Sequence, residues 1–203
     1  MTQGSPSTKR IRLFRSPGLE RLTVVSVPAF LMLWSVGLPL IAWAAFDTAS
    51  TPLAIALAAS GILAWSLTEY SLHRFVFHWQ PRWQPLANLV FIMHGNHHAD
   101  PNDPLRNLMP PIASVPIGAL FWLAAWLFLG PAGSWFFLGF MVGYVAYDLI
   151  HYACHQRPMK GRLARMFKQN HMRHHHGRKN GNYAITAMIW DRVFGTRITS
   201  INT

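Results

Sequence analysis

The sequence predicts an all-α integral membrane protein, with four transmembrane helices and a cytosolic helical cap that carries a histidine-rich site. Three observations lead there. Of the 203 residues, 51% are hydrophobic and only 12% charged, about half the charged share of a soluble domain, and the apolar residues gather in four runs. The 18 Lys and Arg residues all flank one side of those runs. All eleven histidines fall in four tight clusters.

Residues 1–21 are a basic leader with Lys9, Arg10, Arg12, Arg15 and Arg21 among Ser, Pro and Gly. It is expected to be cytosolic and mobile, with an interfacial segment around residues 11–14. The membrane domain is expected over residues 22–203. Residues 22–46 are apolar, interrupted by Pro28 and Pro39, and long enough to span with tilt or a kink. Ala42-Trp43-Ala44 could pass for a signal-peptide cleavage site, but the apolar run is too long for a typical signal, so a retained span is preferred.

The second span, 51–72, carries Glu69 in its last turns and runs directly into His73. Two Trp, two Pro and Arg82 between residues 79 and 85 mark exit through the membrane–water interface. Residues 86–98 read as a cap helix stopped by Asp100-Pro101-Asn102-Asp103-Pro104. The third span, 112–130, ends at Gly130-Pro131. The fourth, 132–150, follows through a tight hairpin and is expected to continue beyond the bilayer through His151 and His155. The cap comprises 73–111 and 151–203.

Four spans put both termini on one side. Five basic residues precede the first span, three lie between the second and third, and ten follow the fourth. The two opposite loops have none, so the termini and every histidine cluster are expected on the cytosolic face. The net charge of +11 therefore points to a membrane surface, and no nucleic acid partner is expected. The single cysteine, Cys154, excludes an internal disulfide framework and is expected to pack rather than react.

The clusters are His73 with His78, five apart; His94, His97 and His98; His151 with His155, four apart; and His171, His174, His175 and His176. Residues three and four apart share a helix face, so His94, His97 and His98 can point one way, as can His171, His174 and His175. Neutral imidazole ligates iron, zinc, copper and nickel. Ten such rings are too many for one ion and enough for two, so a dimetal, all-nitrogen site is expected. A structural zinc finger would need more cysteine. A zinc peptidase would show His-Glu-x-x-His, and no Glu lies between these histidines.

In order, HxxxxH, HxxHH, HxxxH and HxxHH resemble the membrane fatty acid hydroxylase/sterol desaturase superfamily. The likeness runs from about residue 65 to 197. Around the first cluster, Glu69-Tyr70-Ser71-Leu72-His73-Arg74-Phe75-Val76-Phe77-His78 resembles the first box of fatty acid 2-hydroxylases. The stretch Gly143-Tyr144-Val145-Ala146-Tyr147-Asp148-Leu149-Ile150-His151-Tyr152 resembles their third box, and Trp190-Asp191-Arg192-Val193-Phe194-Gly195-Thr196 their closing signature. The resemblance implies ten histidine ligands, five per metal. By motif position one ion would take His73, His94, His97, His171 and His174, and the other His78, His98, His151, His155 and His175. His176 has no counterpart and is taken as solvated. Asp148 and Glu69 are expected to accept the free N–H of ligating imidazoles and so fix their orientation.

The implied activity is dioxygen-dependent hydroxylation of a lipid acyl chain, at the 2-position. The working ions are expected to be two iron ions, with zinc as a substitute, because attack on an unactivated C–H bond needs a redox metal. Two electrons are needed per turnover. Many eukaryotic relatives carry an attached b-type cytochrome domain, but this chain has no His-Pro-Gly-Gly signature and no cysteine set for an iron–sulfur cluster. An external electron-transfer protein is therefore expected, with the basic C-terminal surface as its docking face. The expected location is a bacterial inner membrane rather than the endoplasmic reticulum. Two rival readings are a sterol or carotenoid hydroxylase or desaturase with the same centre, and a non-enzymatic membrane metal-binding or transport protein. Transport sites usually sit near the midplane, whereas these histidines sit at or beyond span ends.

Overall fold

A computed structural model describes residues 10–202. The first nine residues of the expected leader, and Thr203, lie outside it. The described residues form helices and turns and no strand. They are α1 (Pro17–Leu22), α2 (Val27–Ala45), α3 (Thr51–Ser71), α4 (Gln84–Val90), α5 (Asn96–Ala99), α6 (Pro111–Leu129), α7 (Gly133–Gln156), α8 (Arg162–His176) and α9 (Ile189–Val193). Two π turns are inserted, Leu72–Phe77 after α3 and Phe91–Gly95 between α4 and α5.

Three stretches among the described residues are long and apolar enough to cross a membrane: Val27–Ala45, Thr51–Phe77 and the 46 residues Pro111–Gln156. The third folds back on itself. Gly130, at φ +63, breaks it, and a short 3-10 turn, Gly130–Ala132, leads into α7. A Cβ on Gly133 would lie 2.2 Å from the Ala125 carbonyl oxygen. Trp122 stacks on Phe137 at 5.3 Å and donates to Ser134 Oγ at 3.0 Å. So α6 and α7 form a tight antiparallel hairpin, and four helices have membrane length. Nineteen residues of α2 or α6 rise about 28 Å, close to a ~30 Å hydrocarbon core.

The axis of the molecule is α7. It runs parallel to α3, and the two meet backbone to backbone. A Cβ on Gly139 would lie 1.9 Å from the Ala58 carbonyl oxygen, and one on Gly61 1.9 Å from that of Phe136. Small residues permit such an approach, which maximises dispersion contact where lipid offers no hydrophobic drive. Further along, Trp65 sits edge-on to Phe140, Tyr144 and Tyr147 at 5.1–5.5 Å, and Trp34 of α2 joins Tyr144 at 5.5 Å. The outward faces carry exposed large apolar side chains such as Trp43, Met32 and Phe128, as a lipid-facing surface requires.

Because α3 and α7 run the same way, their C-terminal ends present His73 and His151 at one end of the bundle. The cap helices α4, α5, α8 and α9 gather there. From Arg10 onward the leader is packed against the cap rather than free of it. Glu20 accepts from the backbone N–H of Leu13 and Phe14 at 3.0 and 2.9 Å, Arg106 pairs with Glu20 at 2.5 Å, and Arg10 with Asp103 at 2.6 Å.

Candidate metal centre

The first histidine pair depends on the π turn. On an α-helix, residues five apart would point about 140° apart. A π turn closes from i to i+5, so it returns the fifth residue over the first, and the His73 and His78 rings come within 5.1 Å. The second π turn tilts His94 toward them. Asn96 Nδ2 donates to the Phe91 and Ile92 carbonyls at 3.0 and 2.7 Å, satisfying acceptors that the change of helix type leaves free. The short helix α5 supplies His97 and His98, and the last turns of α7 and α8 supply the other rings.

All ten sequence-predicted ligands converge, in two sets. One is His73, His78, His94, His98 and His174; the other is His97, His151, His155, His171 and His175. Within each set one nitrogen per ring lies within 4.8 Å of the others. This division corrects the one implied by motif position: His97 and His171 exchange sets with His78 and His98. The reason is helix geometry. Residues four apart lie about 40° apart around a helix, those three apart about 60°, and neighbours about 100°. So His94 pairs with His98, His151 with His155, and His171 with His175, while each adjacent pair, His97/His98 and His174/His175, gives one ring to each set. The sets abut where His98 stacks on His175 at 4.2 Å. His176 belongs to neither set.

The nitrogens meet as converging lone pairs. In the first set, Nε2 atoms are 3.1 Å apart for His73–His94, 3.0 Å for His94–His98, 3.1 Å for His98–His174 and 3.0 Å for His174–His78. His73 Nδ1 donates to the Tyr183 carbonyl at 2.5 Å and His174 Nδ1 to that of Gly181 at 2.8 Å, which leaves Nε2 of both neutral rings without a proton. Hydrogen bonds would then require His94 to donate to His73 and His98 to donate to His174. The 3.0 Å His94–His98 contact would be left with two N–H groups facing each other. No tautomer assignment satisfies the set, whereas a cation does. Metal–nitrogen bonds of about 2.1 Å at right angles put neighbouring nitrogens about 3 Å apart. The second set repeats the spacing, at 2.9, 3.1, 3.0 and 2.7 Å along His151–His97–His175–His171–His155. Two transition-metal ions fit these residues.

Electrostatics keeps the lone pairs free. Burial, then the neighbouring imidazoles, lowers His98 to about 4 and His174 to about 3. The same causes hold His94, His97 and His171 well below the ordinary imidazole value.

Neither expected carboxylate reaches an imidazole. Glu69 accepts from Ile185 N, Thr186 N and Thr186 Oγ1 at 3.1, 2.9 and 2.6 Å. Asp148 accepts from Met109 N at 3.0 Å. The Nδ1 partners of His73 and His174 are the carbonyls of Tyr183 and Gly181, and it is the loop carrying them that Glu69 holds, while Asp148 holds the backbone at Met109. Asp191, fully buried, accepts from Tyr183 N, Ala184 N and Thr196 Oγ1 at 2.8, 3.1 and 2.8 Å. Glu69 and Asp191 thus orient His73 through the loop whose carbonyl it binds. Nothing in the sequence marks a carbonyl as such a partner. The only trace was the acid in the closing Trp190–Thr196 signature.

Two cavities lie at this end of the bundle, one of them against the centre. One is apolar, runs among α3, α6 and α7, and is lined by Trp65, Ile117, Phe121, Phe140 and Met141. The other touches His94, His97 and His151 along with Arg106, Asn107 and Asp148. Phe77, Met93, Met109 and Tyr147 line both.

Residues 58–196 match the family model for fatty acid hydroxylase. The chain belongs to the fatty acid hydroxylase family. This makes it an enzyme of lipid metabolism and an oxidoreductase. It is 35% identical over 192 residues to a dihydroceramide fatty acyl 2-hydroxylase of Arabidopsis thaliana, covering 91% of this chain and 79% of that one. It is 33% identical over 217 residues to the fatty acid 2-hydroxylase of Homo sapiens, covering 94% of this chain and 58% of the human one. Among solved structures, the hydroxylase domain of scs7p superposes with a TM-score of 0.82 at 31% identity, over 89% of this chain and 70% of that one.

Proposed function

We propose that this member hydroxylates the acyl chain of a membrane lipid at the carbon next to the carbonyl, using two iron ions and dioxygen. The single observation that carries the reading is the convergence of ten neutral imidazoles where an apolar cavity from the membrane reaches the cap. Its similarity to 2-hydroxylases of fatty acids and of dihydroceramides supports the position of attack. His73, His78, His94, His98 and His174 would hold one ion, and His97, His151, His155, His171 and His175 the other. When bound, the ions supply the redox chemistry that no side chain can provide.

The chain's own residues bind, orient and exclude. The Tyr183 and Gly181 carbonyls fix the His73 and His174 tautomers, so each presents a lone pair inward. The Trp65, Phe121 and Phe140 walls would take the hydrocarbon out of water, which favours an apolar chain over a polar one. The first residues of the domain, the loop after the second span and the C-terminal cap are proposed to face the cytosol, from the one-sided basic residues. The spans lie in an integral membrane setting, and a bacterial inner membrane is the proposed compartment, although the named relatives are eukaryotic. Reducing equivalents are proposed to come from a separate acidic protein docking on the basic cap, where Arg173, Arg192 and Arg197 line one groove.

Lipid mass spectrometry of membranes from expressing cells tests the reading. Wild type should add 2-hydroxyacyl lipids, and His151→Ala should add none. Hydroxylated sterols or carotenoids without 2-hydroxyacyl lipids would show the substrate class to be wrong.

A further inference from the structure

We infer that Arg106 binds the acyl carbonyl oxygen of the lipid and thereby sets which carbon faces the metal centre. The inference rests on the proposed acyl hydroxylation and adds the residue that fixes its position. Arg106 is 9% exposed and lines the cavity that also touches His94, His97 and His151. Its Nη2 donates to Glu20 at 2.5 Å, and its Nε stands 3.6 Å from Asp103 Oδ2, beyond hydrogen-bonding range. Nε and Nη1 are both buried without a hydrogen-bond partner.

Glu20 and Asp103 offset the charge, but donors buried without an acceptor are costly unless an oxygen meets them. The fork geometry suits a carboxylate or carbonyl oxygen. Elsewhere in this part of the cavity the polar groups are engaged: Asp148 with Met109 N, and Asn107 with the Pro101 carbonyl and Gln156. The apolar cavity lies next to this one and shares the walls Phe77, Met93, Met109 and Tyr147 with it. An acyl chain lying in the apolar arm would place its carbonyl end in the arm that holds both Arg106 and the imidazoles. With the oxygen held by Arg106, the carbon beside the carbonyl is the first methylene presented to them. The shared chemistry is an acyl carbonyl, found in a free fatty acid and in an N-acyl sphingoid base.

The test uses purified, iron-loaded full chain in lipid nanodiscs, with a chemical reductant and each of those two lipids in turn. Arg106→Met and Arg106→Lys are compared with Arg10→Gln, which breaks only the outer ion pair to Asp103. Three readouts are taken: metal content, the position of the new hydroxyl, and lipid binding by native mass spectrometry. Expected for Arg106→Met is full metal content, at least tenfold weaker lipid binding, and hydroxyl spread to carbons further along the chain. Arg106→Lys should restore part of the binding but not the single position, and Arg10→Gln should keep the 2-position. A larger loss with the free acid would identify a carboxylate as the group bound, and equal losses an uncharged carbonyl. Unchanged binding and position in metal-replete Arg106→Met would overturn the inference, as would losses that only track lost metal. A wild type that binds both lipids through Arg106 yet forms no 2-hydroxy product would overturn the proposed reaction and leave the carbonyl site standing.

Discussion

At the residue scale, the chemistry rests on which imidazole joins which set. Histidine count and spacing made the convergence of these ten rings legible, because side chains of one type at helical intervals share a face. Their division was not legible, since spacings of three and four both read as one face, and only the packed helices decide between them. The division has a direct consequence. His97→Ala and His155→Ala should each lower metal content, and because both rings belong to one set, the double variant should lose no more than one ion per chain. His78→Ala combined with His155→Ala should compromise both ions. Elemental mass spectrometry of the purified proteins reads this, and loss of both ions from the His97/His155 pair would reject the division. Acid should also act on the metal-free protein. His98 and His174 keep lowered values of about 4 and about 3 when folded, but titrate near 6.5 when unfolded. The unfolded chain therefore takes up protons first, and the stability of neutral burial, fully present above pH ~6.5, is lost as pH falls below it. Melting temperatures of metal-free protein should drop steadily from pH 7 to pH 5; a flat profile would contradict neutral, buried rings.

At the scale of elements, the four apolar runs were legible because lipid imposes length and composition. The helices Val27–Ala45, Thr51–Ser71, Pro111–Leu129 and Gly133–Gln156 occupy those runs, the first starting five residues later than the apolar run does and the fourth extending through His151 and His155. The π turns were not legible, because no propensity distinguishes Leu72–Phe77 from an α-helix end; the five-residue spacing of His73 and His78 was the only hint. Nor was the role of the 181–186 loop, which Glu69 and Asp191 hold by its N–H groups. Asp191→Ala would leave those N–H groups buried and unpaired, at roughly 1–3 kcal/mol each, and should lower thermal stability and metal content together. The α3–α7 crossing gives a second test. Gly139→Leu forces a side chain where a Cβ already meets the Ala58 carbonyl at 1.9 Å, a backbone contact that cannot yield. It should cost more than ordinary core overpacking of about 1–3 kcal/mol, read as a large fall in melting temperature. Gly130→Ala, at a hairpin tip with no neighbour within 4 Å, meets no clash but should still cost about 1–3 kcal/mol, because φ +63 with ψ −158 is a backbone region essentially confined to glycine.

At the scale of the whole molecule, α3 leads into His73 while the parallel α7 carries His151 and His155 to the same end of the bundle, the cap folds over them, and an apolar cavity among α3, α6 and α7 reaches cap residues Phe77, Met93 and Met109. A cysteine placed at Asn102, in a protein with Cys154→Ser, should react with membrane-impermeant thiol reagents only from the cytosolic side; labelling from the opposite side would overturn the proposed orientation. The central claim is that this arrangement inserts an oxygen atom from dioxygen into an acyl chain. Purified, iron-loaded protein turning over an acyl lipid under oxygen-18 gas measures it most directly. The predicted result is a 2-hydroxyacyl product whose new hydroxyl carries the label, absent without reductant. A hydroxyl oxygen drawn from water, or label found on no acyl chain at all, would contradict it.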